Sequence, residues 1–164
     1  MKTKTVHKLF FVWDYEREEE WLNRMAAEGW ALSGVGLCTY HFQECEPGEY
    51  TIRLEMHGPD QSYLDFLAET GVKYVGRCFQ WIFLKKPAAE GPFDLFSDVD
   101  SRIAHISRID RSLLFIGLAN LLLGLVNFNS LGWLNLLVAN LLMYAYGRIH
   151  GSLVSLRRER MLHE

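Results

Sequence analysis

Between Arg111 and Arg148 the chain carries no charged side chain. That absence excludes an ordinary water-soluble helix there, which would need a polar face. Basic clustering is missing as well. Residues 1–110 hold 12 Lys and Arg against 18 Asp and Glu, and an acidic front part without a basic stripe argues against nucleic-acid binding. Cysteine is scarce. Cys38, Cys45 and Cys78 make an odd set of three with no framework spacing, so reduced thiols in a cytosolic domain are expected. The start, MKTKTVHKLFFVW, has too short an apolar run for a signal peptide and meets the acidic DYEREEE at once; it reads as a strand. No GxSxG elbow, phosphate loop or dinucleotide fingerprint occurs.

The uncharged stretch holds two apolar segments, residues 113–128 and 131–146. Each is about 24 Å long as a helix, slightly short of a hydrocarbon core of roughly 30 Å. Extension back toward Ile109 and on toward Ile149 closes the gap. Asn127, Asn129, Ser130 and Gly132 gather where a turn belongs, so a transmembrane helical hairpin is expected over 111–149. Arg108 and Arg111 precede it, and Arg148, Arg157, Arg158 and Arg160 follow it. Positive charge stays in the cytosol, so both termini are expected there, with 150–164 as a basic tail.

The two spans echo each other in Ala119-Asn120-Leu121-Leu122 and Ala139-Asn140-Leu141-Leu142. In an antiparallel hairpin Asn120 and Asn140 share a depth, as do Asn127 and Asn135. Amides in hydrocarbon seek partners, and Gly117 and Gly124 allow close helix approach. These six residues are expected to staple the hairpin or join it to a copy. With no ionisable group inside the spans, a transport path is excluded.

The front reads strand, helix, strand, strand, helix, strand. Residues 5–13 alternate as a strand; Asp14 caps a helix reaching Glu28; 30–43 form a second strand with a bend at Gly34 and Gly36. Glu46-Pro47-Gly48-Glu49 is a turn, 50–56 a third strand, Asp60 opens a second helix, and 72–85 form the last strand. WLNRMAAEGWALSG (21–34) aligns with YLDFLAETGVKYVG (63–76) at an offset of 42. Two βαβ units in tandem imply an α+β, ferredoxin-like βαββαβ domain over 1–87: one four-stranded sheet, both helices on one face, the other face displaying aromatics. Residues 88–110 are a linker and juxtamembrane helix, with Ser97, Asp98, Asp100 and Ser101 at the link to the membrane.

Chemistry is sparse. Cys38, His41 and Cys45 lie close in CTYHFQEC, but strand alternation sets Cys38 and His41 on opposite faces, against chelation. Acidic neighbours disfavour the Cys45 thiolate. Asp98, Asp100 and His105 resemble an acid–base set, and capping plus a solvated face explain the same residues. No catalytic, cofactor-binding or metal-ligating residue is assigned. EREEE reads as a solvated helix face.

KTVHKLFFVWDYEREEEWLNRMAAEGWAL, CEPGEYTIRLE, YLDFLAETGVKYVGR and FDLFSDVDSR, in that order, resemble bacterial proteins of domain-of-unknown-function family 2812. The resemblance implies a cytosolic domain followed by membrane helices in the bacterial cytoplasmic membrane. It also implies a regulatory setting, because such genes often lie beside PadR-like regulators. The expected function is a membrane-anchored regulatory or sensory module binding a protein or small ligand. The alternatives are a structural homo-oligomer and an enzyme with a site between the sheet and residues 98–105. Expected partners are the lipid bilayer, a regulatory protein and a second copy.

Overall fold

The computed structural model describes residues 2–58, 60–95, 99–128 and 131–163. The chain divides into two units, Met1–Leu95 and Phe96–Glu164.

In the first unit, strands β1 Thr3–His7, β2 Trp30–Gly36, β3 Thr39–Glu44, β4 Tyr50–Met56, β5 Lys73–Cys78 and β6 Trp81–Pro87 accompany helices α1 Tyr15–Ala27 and α2 Gln61–Glu69. α1 buries Leu22, Met25 and Ala26, three residues of one helical stripe. It stops at Gly29, whose φ of 88° suits a residue without Cβ. α2 starts where the Asp60 carboxylate accepts from the Ser62 and Tyr63 amides, and Gly71 ends it at φ 83°.

The α+β class stands, but the sheet expected as four strands is two sheets of three, ordered β1-β3-β2 and β4-β6-β5. Residues 30–43 and 72–85 are not single strands; each is a hairpin, turning at 37–38 and at 79–80. The strand expected over 5–13 ends at His7, and 12–14 form a short 3-10 helix. The 42-residue repeat is thus βαββ, not βαβ. The bulges follow it, falling between Leu32 and Gly34 in β2 and between Tyr74 and Gly76 in β5.

One core joins both sheets to α1 through Leu22, Met25, Leu32, Tyr40, Phe42, Ile52, Leu54 and Phe83. Ile82 and Leu84 instead pack with Leu67, Val72 and Phe93, so the two helices sit on separate clusters rather than on one shared face. The outer face of the first sheet is polar, not aromatic: Thr5 meets His41, and His7 meets Thr39, both at 3.1 Å.

The second unit is a pair of helices, α3 Val99–Val126 and α4 Gly132–His163. α3 buries Ile106, Ile109, Leu113, Gly117 and Gly124, and α4 buries Ala139, Ala145, Ile149 and Leu153. Spacings of three, four and seven residues in α3, and of six and four in α4, mark a packed seam. A Cβ on Gly124 would lie 2.6 Å from Leu136, and one on Gly117 would lie 3.0 Å from the Met143 sulfur. Outside the seam, Phe115, Leu122, Leu125, Trp133, Leu137 and Leu141 are exposed. Among the described residues one helix, α3, is long and apolar enough to cross a membrane.

Candidate functional site

Three stretches of the first unit line a cleft of about 280 Å³: residues 8–12, the β2–β3 turn and the β5–β6 turn, together with Tyr15 and Glu18 of α1. Its position follows from local chemistry. The Lys8 amide donates to the Cys38 carbonyl at 3.1 Å, so the chain leaving β1 is tied to the neighbouring turn instead of continuing as strand. Cys38 and Phe79, both at φ 53°, supply the left-handed residue that each two-residue turn needs. Leu9, Phe11, Leu37 and Phe79 stay exposed around the cleft, at 61%, 44%, 69% and 77%. Together they form an exposed apolar rim on the cleft.

The walls are aromatic. Tyr15 stacks on Trp81 at 5.2 Å, and Tyr40 meets Phe83 and Phe10 edge-on at 6.4 and 6.3 Å. Lys8 Nζ lies 4.8 Å over the Phe10 ring and 4.5 Å over Trp21. One carboxylate lines the cleft: Glu18, which accepts from the Tyr40 hydroxyl at 2.5 Å. Burial raises the Glu18 pKa, and the Tyr40 bond opposes that only in part. Burial and then Glu18 raise the Tyr40 pKa, keeping the phenol protonated as the donor. Cys38 and Cys78 also line the cleft. Burial first, then Glu18 and Cys38, raise the Cys78 thiol, so it is a weak nucleophile at neutral pH. The arrangement is suited to binding: apolar walls, few polar groups and a mouth open to solvent.

Sequence reasoning missed this site. Glu18 was one letter of an acidic run, yet Glu18, Leu22, Met25 and Ala26 share one helical face. A carboxylate on the apolar stripe was the available signal.

The residues singled out from sequence lie elsewhere. Ser97 and Asp98 fall outside the described residues. In the second unit Asp100 pairs with Arg160, His105 is buried, and Ser101 is half-buried on α3. Asn120, Asn127 and Asn140 donate to carbonyls of their own helix, those of Ile116, Leu123 and Leu136, at 2.9, 3.0 and 2.9 Å. The carbonyl four residues back is always within reach of such a side chain, whatever the neighbouring helix offers. Asn135 is half-buried on α4. Among the described residues no three potential ligands converge on a metal position. Burial first, then Glu49, raises the Cys45 thiol.

An α+β domain with an aromatic cleft, carried on a chain with a membrane-length apolar helix, defines the class. The chain belongs to the family described as Protein of unknown function (DUF2812), which matches residues 14–118. That match includes Glu18, Tyr40, Cys78 and Trp81 of the cleft and reaches into α3. No curated protein and no solved structure matches the chain.

Proposed function

We propose that this chain is a membrane-anchored regulatory or sensory module whose first unit binds a small ligand in the aromatic cleft. The cleft with its exposed apolar rim carries the reading, because such surface in water is stabilised by covering it. The anchor is a hairpin in which both α3 and α4 cross the cytoplasmic membrane of a bacterium with the termini in the cytosol. Apolar side chains facing outward on both helices support it, as do the arginines confined to one end.

Ligand-observed NMR on the full chain in phosphatidylcholine nanodiscs tests the cleft, with empty nanodiscs as the blank. The probes are three monosubstituted benzenes: a cation, an anion and a neutral alcohol. At least one binds the native chain and loses about tenfold in affinity, close to 1.4 kcal/mol, when Leu37 and Phe79 on the rim become Ser, which removes apolar surface without adding charge. Binding of none, or binding untouched by the rim substitutions, overturns the proposal.

A further inference from the structure

We infer that the ligand of the cleft is an organic cation, an ammonium-type head on an aromatic-sized apolar body, held between Glu18 and the aromatic walls that include Tyr15, Tyr40 and Trp81. The inference rests on reading the cleft as a ligand site and adds the sign of the ligand's charge.

The charged residues lining the cleft are Glu18 and Lys8. They are not equivalent. The Lys8 ammonium lies over Trp21, a ring that does not line the cleft, and over Phe10, which does. That ammonium is thereby engaged by two ring faces. Glu18 sits beside Tyr40, which is 5% exposed, and the Tyr40 hydroxyl bond occupies one of its oxygens. A carboxylate has about four acceptor positions, so one such bond leaves capacity for a cationic donor.

The surrounding rings favour the same sign. A ring face carries negative potential and attracts a cation within about 6 Å of its centre. Lys8 over Phe10 is an instance already present in this protein. An arriving cation compensates a carboxylate whose charge burial has disfavoured. A neutral ligand removes its remaining water without compensation, and an anion adds repulsion. The size fits as well: about 280 Å³ accommodates one ring and a small head group, near the lower end of ligand pockets.

The test uses the full chain in phosphatidylcholine nanodiscs and three probes: benzyltrimethylammonium, benzenesulfonate and benzyl alcohol. Isothermal titration calorimetry and ligand-observed NMR give the affinities. Benzyltrimethylammonium binds at least tenfold more tightly than either other probe. Glu18→Gln, which keeps an acceptor for Tyr40, erases that preference. Preferential binding of benzenesulfonate or benzyl alcohol overturns the cation assignment while leaving the cleft a ligand site. Binding of none of the three overturns both readings. Should the Gln variant not fold, the order of the probes on the native chain decides the matter alone.

Discussion

Asn23 joins α1 to the outer edge of β4 with both ends of its amide. Its Nδ2 donates to the Ile52 carbonyl at 2.9 Å, and its Oδ1 accepts from the Ile52 amide at 2.9 Å. The edge strand would otherwise present unpaired backbone groups. Asn23→Ala leaves both without that partner and costs about 2–3 kcal/mol, read as a shift in urea midpoint at unchanged slope. A loss under about 0.5 kcal/mol would mean that water replaces the amide. The repeat partner of Asn23, Asp65, bonds Gln61 of its own helix at 2.8 Å, so the clamp belongs to one half only. Glu18 supplies a pH signature. Its folded pKa is raised by burial, so folding favours the protonated form. Its contribution is complete below the ordinary carboxylate pKa and is lost as pH rises through the folded value. Glu18→Gln does not titrate. The variant is therefore more stable than the native chain at neutral pH, and the gap narrows on acidification toward about pH 4. Urea midpoints at the two pH values measure it; a gap that stays constant contradicts the burial account.

At the level of elements, the hairpins β2–β3 and β5–β6 were illegible for a definable reason. Their turns, Leu37-Cys38 and Phe79-Gln80, lack the Asn-Gly or Gly chemistry that marks a two-residue turn, and non-glycine residues take the positive φ. Each pair of strands therefore read as one long strand. The helices were legible because caps and apolar stripes are local: Asp60, Gly29 and Gly71 sit where their chemistry requires. The α3–α4 seam makes its own prediction. A side chain at Gly124 meets Leu136 at 2.6 Å and the Gly132 backbone oxygen at 3.0 Å, whereas one at Gly117 meets the flexible Met143 sulfur at 3.0 Å. Gly124→Val forces the helices apart and costs about 1–3 kcal/mol by overpacking, and Gly117→Ala costs less. Thermal melts of the helical circular dichroism signal in detergent rank them; equal losses would refute the difference between rigid and yielding neighbours.

For the whole molecule, the two units differ in where their apolar side chains lie. The first buries most of its apolar side chains around α1 and between strand and helix, with the cleft rim as one exposed apolar patch. The second turns Phe115, Leu122 and Leu137 outward, an apolar surface in keeping with the membrane anchor proposed above. Leu122→Lys places a charge in that outer surface at a cost of about 2.5–3.5 kcal/mol if it lies mid-membrane. The variant is expected to shift from the alkali-resistant membrane fraction toward the extractable one, measured by fractionation and blotting. Unchanged resistance would contradict a lipid-facing position. The sequence by itself determined the charge-free stretch, the boundaries of α1 and α2, the 42-residue repeat and the family, because each is written in neighbouring residues or in periodicity along a single element; α4, by contrast, runs on to His163 through the residues expected as a tail. Only the tertiary structure decided that the repeat is βαββ, that the outer face of the first sheet is polar, and that Glu18, Tyr40 and Trp81 share a cleft. Those facts depend on where separate strands and turns converge. Along the chain, each of these residues looks like an ordinary member of a core or a charged helix face.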